Sequence, residues 1–326
     1  MSLYSRCLLC PRRCGVDREA GFLGYCGETA ALRLAFAGIH RGEEPPITGK
    51  GGSGTVFVSG CNLGCAFCQN YQISQGNISH GNIPQRIGRL VSNEEFTEIC
   101  LALQNKGAEN INIVTGSHAT PALALGVKQA RKQGLSIPVL WNSSGYDGVE
   151  VLEIIKNFVE VYLPDLKTLD SAFAATFFNA PDYPETASAA ILRMMEYREL
   201  RLGETMLSGV MVRHLVIPGH LENTREVLRW FAENCNGRAL LSLMTQYTPV
   251  QAGSRKESHS VEEKEPAMPS RYVSEEEYET VLSMLDEFRI DDGFCQELVT
   301  GSDWLPDFTR PNPFSSELSV PVWHWR

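Results

Sequence analysis

Seven of the chain's ten cysteines fall within its first 68 residues, and three of those share one short loop. The stretch Gly60-Cys61-Asn62-Leu63-Gly64-Cys65-Ala66-Phe67-Cys68-Gln69-Asn70 presents Cys-x3-Cys-x2-Cys. Thr55-Val56-Phe57-Val58-Ser59, directly before it, reads as a β-strand ended by Gly60. Three thiolates on one glycine-containing loop can hold three corners of a cubane 4Fe–4S cluster and leave its fourth iron without a protein ligand. An open iron can take a substrate or cofactor, whereas a closed four-cysteine site carries electrons or holds structure. The competing reading is zinc on Cys65-x2-Cys68 with two distant ligands. Structural zinc takes four ligands, usually from paired knuckles, and this loop supplies three cysteines.

The other four early cysteines, Cys7, Cys10, Cys14 and Cys26, are spaced Cys-x2-Cys-x3-Cys-x11-Cys. Four soft ligands this close can close a zinc site or bind a second iron–sulfur cluster, and the spacing does not choose between them. Cys100, Cys235 and Cys295 sit in apolar surroundings and are expected in the core. The first residues lack the apolar region of a signal peptide, and no run approaches the ~18 apolar residues of a membrane span. A cytoplasmic location is therefore expected, where thiols stay reduced and clustered cysteines bind metal rather than pair. A net charge of −10 argues against a broad nucleic-acid surface.

From Thr55 onward apolar strands alternate with amphipathic helices. Strands are expected at Thr55–Ser59, Asn110–Val114, Ile137–Trp141, Val159–Leu163, Val210–Val216 and Ala239–Met244. Capping boxes at Ser92–Glu95 and Ser274–Glu277 open two of the helices, and Asn223 is expected to cap another. Six such units favour a parallel sheet with right-handed crossovers. A complete eight-unit barrel needs ~250 residues, so a partial (β/α)6 TIM-like barrel of the α/β class fits better. The expected organisation is a Cys-rich metal module over 1–48, the barrel core over 49–250, a mobile polar loop over 251–270 and a C-terminal extension over 271–326, which contains a last strand at Phe294–Val299.

In parallel α/β folds, ligands gather at the carboxyl ends of strands. Those ends here carry Thr115-Gly116-Ser117-His118, Asn142-Ser143-Ser144-Gly145, Asp165-Leu166-Lys167, Arg213-His214 and Gln246-Tyr247. His118 and His214 are pocket candidates by position; the other histidines read as surface or turn residues. Glu43-Glu44, before Pro45-Pro46, could face the substrate or form a solvated turn, and the turn is the preferred reading.

The Cys61–Cys68 loop after a first barrel strand resembles the signature of the radical S-adenosylmethionine (SAM) superfamily. The resemblance implies that Cys61, Cys65 and Cys68 bind a 4Fe–4S cluster, that SAM chelates the open iron, and that Phe67 lies beside its adenine. It further implies reductive cleavage of SAM to a 5′-deoxyadenosyl radical that abstracts hydrogen from a substrate. Cys68-Gln69-Asn70, Asp165-x-Lys167 and Arg213 within Val212–Gly219 are similar to the branch of the pyruvate formate-lyase activating enzyme. By that likeness Thr115 and Gly116 meet the SAM amino end, while Asn142, Ser144, Asp165, Lys167 and Arg213 meet ribose or carboxylate or hold a nearby cation. Cys7-x2-Cys10-Pro11-Arg12-x-Cys14-Gly15, Gly21-x2-Gly24-x-Cys26 and Glu43-Glu44-Pro45-Pro46-Ile47 mark a subgroup of that branch. Gly49–Gly54 stands where the activases carry Asp-Gly-Pro-Gly. The implied partners are an electron donor such as flavodoxin or ferredoxin, and a glycyl radical enzyme or other protein substrate, with no nucleic acid or membrane. A small molecule or peptide side chain as substrate, and an iron–sulfur electron carrier without SAM chemistry, are the alternatives.

Overall fold

The computed structural model describes residues 2–75, 87–250, 267–302 and 304–326. Most of the expected polar loop, residues 251–266, lies outside the described residues. In chain order the first elements are β1 (Leu32–His40), the single turn α1 (Pro45–Thr48), β2 (Ser53–Val58), the turn α2 (Tyr71–Ser74) and β3 (Arg89–Val91). Next come α3 (Asn93–Asn105), β4 (Ile111–Val114), α4 (Thr120–Lys132), β5 (Val139–Ser143), α5 (Val149–Ile155) and β6 (Val161–Pro164). Then follow α6 (Ser171–Phe178), α7 (Tyr183–Tyr197), β7 (Arg201–Leu202), β8 (Met206–Leu215), α8 (Leu221–Asn234) and β9 (Leu240–Met244). α9 (Glu275–Phe288), β10 (Gly293–Cys295) and β11 (Ser319–His324) complete the set.

The sheet runs β10-β9-β8-β6-β5-β4-β2-β1-β11. Neighbours from β2 to β10 are parallel. β2, β4 and β6 are buried along their whole length, as expected of parallel strands covered on both faces. The six expected strands are all present, shifted by a few residues, so the sheet is the open α/β barrel read from the sequence. β10 adds a seventh parallel strand on β9. At the other edge β1 pairs antiparallel with β2, β3 and β11. The cysteine-punctuated N-terminal segment is thereby joined to the barrel sheet through β1.

Helix ends follow their local chemistry. Ser274 and Glu277 form the full reciprocal box at α9. At α3, Ser92 accepts from the Glu95 amide, but the Glu95 carboxylate pairs with Arg89 and takes a hydrogen bond from Trp323 at 2.9 Å. Asn223 does not cap α8: it lies inside the helix and donates to the Lys167 carbonyl at 3.0 Å.

Candidate functional site

The carboxyl ends of β2, β4, β5, β6, β8 and β9 open onto one cavity of about 250 Å³. Cys61, Cys65 and Cys68 line it together with Phe67, Thr115, Asn142, Ser144, Asp165, Lys167 and Arg213. Residues scattered over more than 150 positions thus meet because parallel strands present their ends on the same side. Gly116 is not in the lining. A β-carbon there would lie 2.7 Å from the Trp141 ring, so the glycine lets β4 pass over that indole. Thr115 adopts φ 63°, a left-handed conformation that is unusual for a β-branched residue and concentrated at functional sites.

The cysteine loop is held from several sides. Gln75 donates to the Cys65 carbonyl at 2.7 Å, and the Ala66 amide donates to the Phe177 carbonyl at 2.9 Å. Arg12 reaches over from the N-terminal segment, donating to the carbonyls of Asn62 at 2.9 Å, Leu63 at 3.0 Å and Phe178 at 2.8 Å. Its guanidinium stacks 3.9 Å from the Tyr25 ring. This clamp ties the loop to the end of α6. Burial raises the Cys65 thiol, opposed by the charge of Lys167. Burial likewise pushes Cys68 up to about 11, and the neighbouring Cys61 sulfur adds to the rise. A metal bound here must therefore displace protons from the sulfurs.

Behind the loop lie two charged groups. Lys167 Nζ stands 2.5 Å from Asp165 Oδ2; burial works against the ammonium, but Asp165 and Cys65 outweigh it and raise its pKa. Arg213 is clasped by Glu43 and Glu44, and Ser242 donates to the Glu44 carboxylate at 2.6 Å. Glu43-Glu44 is thus no solvated turn: both carboxylates are buried against a guanidinium that a strand carries into the barrel. The signal was available, since one arginine inside Val210–Val216 needs an acidic partner. Nε of Arg213 is buried without a hydrogen-bond partner among the described residues. Gln246, one of the polar strand ends, and Glu43 also line the cavity, as do His40, Gln69, Trp304 and Phe314, which were missed as site residues. His118 and His214 do not line it. His118 Nε2 bonds the Ser59 carbonyl at 2.8 Å, and His214 lies between the Leu166 carbonyl and the Thr224 hydroxyl.

The donor set fits a cluster with an open position: three cysteines face one cavity, and no fourth cysteine lines it. Among the described residues no three or more histidine, cysteine or carboxylate side chains, here or at the N-terminal cysteines, stand close enough together to hold a single metal ion.

The chain belongs to the radical SAM superfamily, whose profile matches residues 55–231, more than half of its length. Membership implies an enzyme whose cofactors are a 4Fe–4S cluster and SAM. Among known sequences it is similar to the uncharacterized protein MJ0674 of Methanocaldococcus jannaschii, with 28% identity over 291 residues, 89% of this chain and 77% of that one. Among solved structures it is similar to Streptococcus suis SuiB bound to S-adenosylmethionine, with a TM-score of 0.47 and 12% identity over 72% of this chain. The match takes in 48% of SuiB, so the chain spans about half that protein's length. It is also similar to a domain of pyruvate-formate lyase-activating enzyme from Bacteroides vulgatus, with a TM-score of 0.37 and 18% identity, over 53% of this chain and 89% of that domain. No helix among the described residues is long and apolar enough to cross a membrane.

Proposed function

We propose that this chain cleaves SAM reductively and uses the resulting radical to abstract hydrogen from a substrate, in the manner of the glycyl-radical-enzyme activases. The observation that carries the reading is the meeting of Cys61, Cys65, Cys68, Asp165, Lys167 and Arg213 in one cavity. When bound and reduced, the cluster supplies the electron that breaks the sulfonium bond of SAM. The chain's own residues do the positioning. Cys61, Cys65 and Cys68 would ligate three irons. Arg213 would orient the SAM carboxylate, and Asp165 would accept from ribose hydroxyls. Phe67 packs edge-on to Phe178, with ring centroids 5.7 Å apart, and would flank the adenine. Trp304, Pro306 and Phe314 line the same cavity from the C-terminal extension and would keep water from the radical. A cytoplasmic flavodoxin or ferredoxin would be the electron donor, and a glycyl radical enzyme or another protein the substrate.

A second reading, a small polar molecule as substrate, draws on a specific observation. His40, Glu43 and Gln246 give the cavity a polar lining, and the aromatic residues of the C-terminal extension border it. Anaerobic protein with dithionite and SAM should release 5′-deoxyadenosine, and Cys61→Ala should bring release down to background. Equal release from both proteins would reject the SAM reading. Deuterium transferred into 5′-deoxyadenosine from a labelled glycine loop, or from a labelled small molecule, separates the two substrate classes.

A further inference from the structure

We propose that Cys7, Cys10, Cys14 and Cys26 form a second, all-thiolate metal site, holding a zinc ion or an iron–sulfur cluster, and that this metal fixes the turn carrying the Arg12 clamp. The proposal does not depend on SAM chemistry. Among the described residues none of the four is in a disulfide; Cys7, Cys10 and Cys26 are buried and Cys14 is half-buried. Cys14 Sγ lies 4.0 Å from the Cys7 carbonyl. Arg18, beside Cys7 Sγ, packs against the same glycine, Gly24, as the sulfurs of Cys14 and Cys26. Cys10 is near enough to all three other cysteines for an electrostatic effect. A β-carbon at Gly24 would lie 3.2 Å from the Cys26 sulfur and 3.5 Å from that of Cys14, so both sulfurs pack against this glycine. The backbone is folded for this. The Cys7 amide donates to Val16 and the Gly15 amide to Cys7, both at 2.9 Å, while Arg13 at φ 42° closes a turn onto the Cys10 carbonyl.

Two further observations point to metal rather than to buried thiols. The amides of Arg12 and Glu28 are directed at the sulfurs of Cys10 and Cys26, each from two residues downstream. The same pattern recurs in the cavity loop, where the Leu63 amide donates to Cys61 Sγ at 3.3 Å and the Asn70 amide to Cys68. Such outer hydrogen bonds orient and stabilise thiolate ligands. The second observation is Arg18, which is only 2% exposed. It donates to the carbonyls of Glu28, His118 and Thr29, and its Nη1 lies 3.7 Å from Cys7 Sγ. Among the described residues it makes no ion pair with a carboxylate; the nearby Glu28 pairs with Arg33 at 3.1 Å. A buried cation requires negative charge beside it. Four thiolates around a divalent ion, or around a cluster, leave a net negative charge that Arg18 offsets. Free thiols would leave the guanidinium unbalanced.

The site also bears on the cavity. Arg12 stands between Cys10 and Cys14, and the Cys26 carbonyl accepts from the Cys61 amide at 3.4 Å. Ligation of the four cysteines would close the thiols and lock both contacts to the loop.

The test uses full-length, anaerobically purified protein in which Cys61, Cys65 and Cys68 are all replaced by alanine. About one zinc per chain without sulfide, or iron with matching sulfide, supports the proposal and names the metal. Further replacement Cys7→Ser with Cys26→Ser should abolish that content. A folded triple variant with neither zinc nor iron overturns the proposal, as does metal that survives loss of Cys7 and Cys26. X-ray absorption on the wild-type protein guards against misfolding of the variants. It should show zinc in an all-sulfur shell, or iron exceeding that of the Cys7→Ser, Cys26→Ser protein by one cluster. The absence of both signatures overturns the proposal. Hydrogen exchange at residues 62–64 should quicken in Cys7→Ser, Cys26→Ser protein, and unchanged exchange removes the link to Arg12. Failure of the SAM reading shows separately, as wild-type protein that binds this metal but forms no 5′-deoxyadenosine.

Discussion

At the scale of single residues, the barrel strand ends carry the buried Arg213 and His214 and the left-handed Thr115. Arg213 is held by two carboxylates contributed from about 170 positions earlier, an arrangement in which each side of the pair makes the other's burial tolerable. His214, the next residue, shows the cost of burial without a counter-ion. Burial pushes its pKa down to about 4 from 6.5, so it stays neutral in the folded chain while the unfolded chain takes up a proton. Stability from this group is complete above about pH 6.5 and falls as the pH drops toward 4. By pH 5 the loss should be about 2 kcal/mol. Urea titrations of the Cys61→Ala protein, free of cluster loss, should show that slope. His214→Gln, weaker at every pH, should lack it. Much of the site was legible from residue type and position, because thiols, Asp165 and Lys167 declare their chemistry wherever they stand. The role of Arg12 was not, since it acts through partners 50 or more positions away. Although Arg213 signalled a need for acidic partners, nothing local to Glu43–Glu44 pointed to an arginine 170 positions on.

At the scale of elements, the helices outside the sheet are fitted to one another as closely as the strands. Gly126 in α4 faces Phe96 in α3, and a β-carbon there would stand 2.4 Å from that ring. Gly126→Ala gains ~1 kcal/mol of helix propensity. The clash costs ~1–3 kcal/mol, so denaturant titration should show a net loss of stability. A gain would mean that the two helices separate freely. Periodicity revealed the strands and helices of the barrel because each carries its own apolar pattern. It did not reveal that β10 continues the parallel sheet or that β1 extends it the other way, since pairing partners are set by packing between distant segments. The Ser92 box failed in part for the same reason: Trp323, 228 residues on, competes for the Glu95 carboxylate.

At the scale of the whole molecule, the first and last strands meet. β11 covers the edge of β1 over Phe36–His40, and Trp325 donates to the Phe308 carbonyl at 2.9 Å behind it. Removing residues 319–326 should expose that edge, lower the thermal midpoint and produce aggregates in light scattering. A monodisperse truncated protein would show that the edge is protected otherwise. The Arg12 clamp carries a related consequence for the order of events during synthesis. Its acceptors include the carbonyls of Phe178 and Asn179, made long after the cysteine loop has left the ribosome. Until then the loop has its thiols and its local contacts, but not the part of the brace that the end of α6 supplies. Loading of iron should therefore follow translation of the barrel, which makes the nascent chain a poor acceptor and the finished one the substrate of cluster assembly.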